Sequence, residues 1–220
     1  MKNSWQHLQT DVLILGSGGA GLCAVLHLMD HKPQPEVFLA VRGLFGKSGC
    51  TRMVQGGYNA VIDKSDSLEA HFLDTINGGQ WLNNQDLAWK MVCEAPERLL
   101  ELENRVGCFF DRNPDGTVHQ KPFAGQSFDR TVHKGDLTGI EIINRLSEQV
   151  AAMDNVIIGE EMRGVDLLFD RTGQKVSGAL LIDLRRGEFI VVEARAVLLA
   201  TGGGPTMYKI TAPCHDKTCD

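Results

Sequence analysis

Apolar positions along this chain change period several times, and each change marks an element. Residues 11–15, DVLIL, form a continuous apolar run ending at Gly16, the pattern of a strand buried on both faces. Residues 19–30 place Leu22, Val25, Leu26 and Met29 at helical spacing. KPQP interrupts, and EVFLAV (36–41) predicts a second strand, so 11–41 reads as a βαβ unit with a right-handed crossover. Residues 67–77 and 85–106 carry helical periodicity, and Pro96 is expected to restart the second helix, because proline suits a first turn. From Gly107 to Ser127 the helical period is lost, and Asn113-Pro114-Asp115-Gly116 predicts a hairpin among loops. Residues 137–153 return to an amphipathic helix. Strands are then expected at 155–159, 165–170, 176–183 and 187–194 as a meander, with a return strand at 195–200 running into TGGG.

Composition narrows the partners. At 220 residues the chain can bury a sizeable core, and its 43% hydrophobic and 23% charged residues are ordinary for a globular protein. A net charge of −6 argues against nucleic acid or an anionic membrane, since both are bound through clustered Lys and Arg. The opening MKNSWQHLQTD lacks an apolar h-region, and no uncharged apolar run approaches the ~20 residues that span a bilayer. Six cysteines (Cys23, Cys50, Cys93, Cys108, Cys214, Cys219) are scattered without a CxxC pair, which predicts reduced thiols and a cytoplasmic location. Cys214 and Cys219 flank His215 and Asp216, but their spacing fits no common zinc pattern and no second ligand pair accompanies them, so no metal site is assigned. Glycine is the unusual count, at 24, and an excess of glycine marks tight turns and close backbone approaches.

Two glycine motifs carry the chemistry. Gly16-Ser17-Gly18-Gly19-Ala20-Gly21 matches GxGxxG and sits between an apolar strand and a helix, the context that gives the pattern meaning. Gly16 suits the tight turn, Gly18 lets backbone approach a pyrophosphate, and Gly21 lets helix pack on strand. The helix N-terminus then offers N–H groups to the anion. The acidic residue expected about 20 positions on, at the end of the second strand, is replaced by Val41-Arg42. That leaves three readings of Arg42: an NADP 2′-phosphate partner, the neighbour of a flavin dinucleotide whose ribose is held by other groups, or a solvated side chain. The second motif, Ala200-Thr201-Gly202-Gly203-Gly204, follows an apolar strand, and a second small-residue strand end favours FAD over NADP.

The segments DVLILGSGGAGL, SGCTRMVQGGYNAV, DTINGGQWLNNQDLA, KPFAGQSFDR, GDLTG, RAVLLATGGGPTMY and KTCD occur in an order that resembles the N-terminal part of the succinate dehydrogenase / fumarate reductase flavoprotein family, which includes L-aspartate oxidase. The resemblance covers nearly the whole chain. It implies an α/β fold, a Rossmann-like FAD-binding domain, with a parallel sheet, a helical excursion and a β-meander. Residues 1–220 would form its first segment: the βαβ unit (11–41), a flavin loop (46–61), the excursion (66–153), and the meander with return strand (155–204). The capping and C-terminal domains of the family are expected to be absent. Ser48, Cys50, Thr51, Gln55, Gly56 and Gly57 would line the flavin. In the membrane-complex members a histidine five residues before Gln-Gly-Gly bonds the flavin covalently. Cys50 stands there in this chain, which implies non-covalent FAD beside a small side chain, with a thioether as the alternative. Gly164 falls where the family's backbone meets adenine. Asp220 falls on the aspartate of its Thr-Gly-Asp-Gly, with Cys219 replacing the first glycine.

On the substrate side, Phe123 matches a phenylalanine that packs against the dicarboxylate in fumarate reductases. Read from the residues alone, it suits a core aromatic in a loop equally well. Gln126 and Ser127 match residues near the same cavity, and Asp136, Thr138 and Gly139 match an Asp-x-Thr-Gly turn whose following histidine is Ile140 here. The family places its substrate-binding and proton-donating residues beyond the point matching Asp220, so no catalytic residue is assigned. His119 and His133 read as surface or loop residues, since neither has a partner carboxylate visible in the sequence. The resemblance implies hydride transfer between flavin N5 and a four-carbon dicarboxylate, and an iron–sulfur or other electron-transfer partner. L-Aspartate oxidase, favoured by the non-histidine at Cys50, and a non-catalytic flavin-binding chain are the alternatives.

Overall fold

The computed structural model describes residues 5–212. Two compact units divide the chain: one takes residues up to Arg52 and from Leu146 onward, the other Met53–Arg145.

In the first unit, β1 (Gln6–Leu15) leads through α1 (Gly19–Leu28) to β2 (Val37–Val41), and β6 (Val156–Glu160), β7 (Met162–Phe169), β8 (Val176–Asp183) and β9 (Glu188–Leu199) complete one sheet. The strand order is β6-β2-β1-β9-β8-β7. β6, β2, β1 and β9 run parallel, and β9, β8 and β7 pair antiparallel. All five positions of β2 are buried, which is why its sequence is an unbroken apolar run. On one face Leu13, Leu15, Phe38, Ala40, Leu181 and Val192 join a single core cluster. On the other, Ile14 and Leu39 are fully buried, as are Leu22 and Val25 of α1. Each such side chain contributes about 1.5–3 kcal/mol by leaving water.

Three expectations are corrected here. β1 begins at Gln6 rather than at residue 11, because its polar first half pairs with Ile190–Ala194 of β9, and backbone pairing does not require apolar side chains. The strand expected to open the meander, β6, instead pairs in parallel with β2 at the opposite edge. The strands expected at 187–194 and 195–200 are one strand, β9, since no glycine or proline separates Ala194 from Arg195. The meander turns carry their own chemistry: Asp183 Oδ1 accepts from the N–H of Arg185 (2.8 Å) and Arg186 (3.1 Å).

The second unit holds a small sheet of β3 (Tyr58–Asn59), β4 (Gln120–Lys121) and β5 (Thr131–Val132), ordered β3-β5-β4, beside α2 (Leu68–Gly78) and α3 (Gln85–Glu101). Ser67 Oγ accepts from Ala70 N–H (3.1 Å) and Asn84 Oδ1 from Leu87 N–H (3.1 Å), which sets the two helix starts. Pro96 does not restart the helix: α3 runs through it. The buried residues Ala88, Val92, Ala95 and Leu99 straddle the proline at helical spacing, so packing outweighs the ~3 kcal/mol that an internal proline costs. The expected turn at 113–116 forms, with Gly116 N–H donating to Asn113 O (2.9 Å). Arg130 is fully buried and forks onto Asp66 (Nε and Nη2, each 2.8 Å) and Asp74 (Nη1, 2.5 Å), tying β5 to α2 and the loop before it. The chain returns to the first unit within α4 (Thr138–Ala151).

Candidate functional site

At the C-terminal ends of β1, β2 and β9 the first unit opens a groove of about 460 Å³. Parallel sheets bind ligands beyond the carboxyl ends of their strands. Four separate stretches line it: Leu15–Ala20, Ala40–Gly43, Ser48–Thr51 and Leu199–Gly203, together with Met162 and Gly164. Gly16 has φ +109°, and a Cβ there would lie 2.4 Å from the Ala200 carbonyl oxygen, so the turn and the return strand both demand glycine. Gly21 packs the helix onto that turn, since its Cβ would meet Gly16 O at 2.0 Å.

Gly18 differs from both. Its φ of −72° suits any residue, and the nearest atom to an added Cβ is Thr51 Oγ1 at 3.6 Å. No protein atom requires glycine there, as expected where a ligand approaches backbone. Gly18 also caps α1, which has no side-chain cap and no acidic residue in its first turn, leaving the helix's positive end toward the groove uncompensated. Thr51 Oγ1 accepts from Gly19 N–H (3.1 Å), which fastens the loop at 48–51 to the start of α1. The donor set therefore fits a dinucleotide: glycine backbone and a helix N-terminus for a pyrophosphate, hydroxyls of Ser48 and Thr51, and Arg42 half-buried at the end of β2.

Of the residues expected from the sequence, Gly16, Gly18, Gly19, Ala20, Val41, Arg42, Ser48, Cys50, Thr51, Gly164, Ala200, Thr201 and Gly202 line this groove. Cys50 is half-buried, forms no disulfide, and opens a short helical turn, Cys50–Met53. Gln55, Gly56 and Gly57 belong to the second unit, and Asp220 and the Cys214–Cys219 stretch lie outside the described residues. Sequence reasoning missed Leu15, Ser17, Ala40, Gly43, Gly49, Met162, Leu199 and Gly203 as lining residues. The glycines stand in glycine-rich stretches that mark them, whereas Met162 carries no signal of its own. Among the described residues no three His, Cys, Asp or Glu side chains gather as a metal site.

In the second unit Phe123 is 54% exposed and its ring lies over Gly56, where an added Cβ would come within 3.0 Å of Cε2, so it is not a core aromatic. Gln126 Oε1 accepts from Thr131 Oγ1 (3.2 Å), and Ser127 N–H and Oγ–H both donate to Asp74 (2.7 Å). Asp136 is exposed, and Thr138 is buried with its hydroxyl accepting from Lys134 N–H (3.1 Å). Gly139 N–H donates to Val54 O (2.8 Å).

His119 and His133 are expected as surface or loop residues; His133 does lie in the loop after β5, but it is buried rather than at the surface. Its Nε2 lies 2.7 Å from His119 Nδ1, and its Nδ1 lies 3.2 Å from Asp111 Oδ2 without hydrogen-bond alignment. Burial lowers the His133 pKa from the ordinary histidine value, helped by the charge of Lys121 and opposed by Asp111. The Asp111 carboxyl is itself held low, first by the N–H of Gly135 at 2.7 Å. The partner carboxylate was hidden because it sits 22 residues away in sequence and arrives through the fold.

Known proteins are similar to this chain in sequence and fold. A family model described as an FAD binding domain matches residues 11–219. The chain is 44% identical over 213 residues to an uncharacterised FAD-dependent oxidoreductase of Methanocaldococcus jannaschii, covering 97% of this chain and 38% of that protein. It is 40% identical over 215 residues to a fumarate reductase (CoM/CoB) subunit of Methanothermobacter marburgensis, covering 96% and 38%. A solved structure of a point variant of E. coli quinol fumarate reductase FrdA superposes with a TM-score of 0.87 at 31% identity, covering 96% of this chain and 36% of that one. The chain thus spans about 38% of the length of the curated relatives it matches. With a family match running almost end to end over the strands and glycine loops that build the groove, the chain belongs to the FAD-binding-domain family, on the succinate dehydrogenase / fumarate reductase flavoprotein branch, with FAD as its cofactor.

Proposed function

We propose that this chain forms the dinucleotide-holding part of a fumarate reductase / succinate dehydrogenase type enzyme, and that the groove of the first unit is where FAD binds. The observation that carries this is Gly18, a glycine that the protein's own packing does not require, at the mouth of a groove lined by four separated small-residue stretches. Backbone N–H groups at Gly18 and Ala20 would hold the pyrophosphate at the N-terminus of α1, beside Gly19, whose own N–H is taken by Thr51. Thr51 keeps that loop in place through Gly19, and the small residues Ala200, Thr201 and Gly202 leave room along the return strand. When bound, FAD supplies hydride transfer at N5, and the substrate this reading supports is a four-carbon dicarboxylate, with its C2–C3 unit exchanging the hydride. Phe123, exposed on Gly56, and Gln126 are the residues of the second unit offered to that substrate.

Binding is non-covalent on this reading, with Cys50 a neighbour of the flavin rather than its attachment point. The rest of the catalytic apparatus, the electron-transfer partner and a cytoplasmic location belong to the proposal, the last supported by Cys23, Cys50, Cys93 and Cys108 forming no disulfide among the described residues. No helix among the described residues is long and apolar enough to cross a membrane. Aspartate oxidation on the same fold is the second reading, favoured by Cys50 at the position where the respiratory enzymes carry histidine.

The test is an absorbance spectrum of purified protein before and after acid precipitation. Yellow colour passing into the supernatant is the expected result. Colour kept in the pellet would make Cys50 the attachment point, and a colourless protein that takes up no added FAD would remove the groove as a flavin site. Turnover with fumarate, succinate or aspartate then separates the two substrate readings.

A further inference from the structure

We propose that the Asp111–His133–His119 row is a proton-operated clasp, holding the arm that carries Phe123 against β5 and releasing it when both histidine rings become charged. This goes beyond the flavin reading, rests on the second unit alone, and does not require FAD to be bound.

The row is built by the backbone before the side chains meet. β4 and β5 pair Gln120 with Val132, so His119 and His133 face each other one position further along the same antiparallel ladder. Asp111 joins the pair from the preceding loop: its N–H donates to His133 O (2.9 Å), and its carbonyl accepts from His119 N–H (2.8 Å). Side chains then close the row, with His119 Nδ1 2.7 Å from His133 Nε2. At that separation one nitrogen must donate and the other accept. The ionised Asp111 beside His133 Nδ1 favours a proton there, which makes Nε2 the acceptor and His119 Nδ1 the donor.

Proton counting gives the switch. The neutral pair holds its hydrogen bond, and so does the pair with one added proton, because an imidazolium N–H still finds a neutral ring nitrogen. A second proton leaves two N–H groups pointing at each other and two positive charges in contact. The groups facing His133 are Asp111, which attracts a proton, and Lys121 and His119, which repel one. Lys134 Nζ (3.4 Å) and Gly135 N–H (2.7 Å) keep the Asp111 carboxylate occupied, so it cannot give itself wholly to a charged His133. A histidine with a lowered folded pKa stabilises its surroundings fully above the unfolded value of about 6.5, and that stability is lost as pH falls below it.

Besides this row, the arm is held by Gln120 Nε2 donating to Ala60 O (2.8 Å) and, beyond Phe123, by Gln126 Oε1 accepting from Thr131 Oγ1 (3.2 Å) and Ser127 donating to Asp74, so release frees the stretch between those ties. β4 is two residues long, and Pro122 and Phe123 follow it directly. On the other side of β5, Tyr58 pairs with Val132, and Gly57 packs so closely that a Cβ would sit 2.4 Å from Val132 O. β5 therefore carries the Gln-Gly-Gly turn on one edge and the Phe123 arm on the other, and loosening the arm separates Phe123 from Gly56.

Amide hydrogen exchange of the whole chain tests this, with protection factors at pH 7.5 and 5.0 corrected for intrinsic rates. Protection at His119, Gln120 and Lys121 should fall about tenfold or more, while β2 changes less than about twofold. In His119→Gln, which keeps a polar side chain without the titration, the selective fall should disappear. A fall no larger than that of β2, or one that persists in both His119→Gln and His133→Gln, overturns the proposal. Should the variants fail to fold, ring-nitrogen NMR of the unmodified protein decides. Two separated protonation steps of the pair with loss of the cross-ring bond at the second support the clasp, and a single step that leaves the bond intact removes it.

Discussion

Gly16 and Gly18 stand two residues apart in one loop and are glycine for different reasons. Gly16 is set by the fold: φ is +109° and a Cβ would collide with Ala200 backbone at 2.4 Å. Gly18 is set by what comes to the loop, since its φ is −72° and a Cβ would meet nothing closer than 3.6 Å. Gly16→Ala should therefore destabilise the protein by about 1–3 kcal/mol, seen as a lower urea midpoint. Gly18→Ala should leave that midpoint within about 0.5 kcal/mol of the parent while bound flavin per chain drops sharply. Full flavin occupancy in Gly18→Ala would mean that backbone there does not approach the cofactor. The sequence motif displayed both glycines equally, because spacing registers that a side chain is missing and cannot say which neighbour forbids it. Thr51 was legible only through the resemblance. Its structural task, accepting from Gly19 N–H, predicts a cost of about 0.5–1.5 kcal/mol for Thr51→Val, measurable in the same titration.

Elements were legible where burial writes a period and illegible where pairing partners decide. β2 and the C-terminal half of β1 are buried on both faces and announce themselves as apolar runs, and the helices of the second unit start at Ser67 and Asn84 because those side chains cap them. β6 looks like any meander strand, and its parallel partner β2 is a long-range fact. Proline at position 96 signalled a break that packing overrode. If the buried face alone keeps α3 continuous there, Pro96→Ala should stabilise the protein by about 1–3 kcal/mol in urea unfolding, and an unchanged midpoint would mean the helix adapts without strain. Arg130 is the opposite case, a side chain with no local pattern whose two carboxylate partners lie 64 and 56 residues away. Arg130→Met strands Asp66 and Asp74 in a site where the guanidinium is fully buried, and should cost about 3–5 kcal/mol. His71, buried near the same group, has its pKa lowered by burial first and by the Arg130 charge second. Its share of stability is complete above about pH 6.5 and is lost as pH falls through the histidine range, so the acid limb of a stability–pH curve should flatten in His71→Leu.

At the scale of the whole molecule, the groove exists because a sheet gathers what the sequence separates. Its walls come from residues 15–20, 40–43, 48–51, 162, 164 and 199–203, and only parallel pairing of β1 with β2 and β9 brings the first, second and last of these together. A ligand spanning those walls links the two ends of the chain and binds the folded state alone, so it must stabilise by mass action. At 100 times its Kd, FAD should add about 2.7 kcal/mol, a rise of roughly 5–10 °C in melting temperature for a chain of this size. ADP, which carries the adenosine and pyrophosphate but no flavin, should produce part of that rise, because the glycine loop and α1 address the pyrophosphate. The two shifts should be nearly abolished in Gly18→Ala, whose own ligand-free melting temperature stays with the parent. FAD stabilising Gly18→Ala as strongly as the parent would move the binding site away from the GxGxxG loop. ADP failing where FAD succeeds would assign the binding energy to the flavin end, at Ser48–Thr51, rather than to the helix N-terminus.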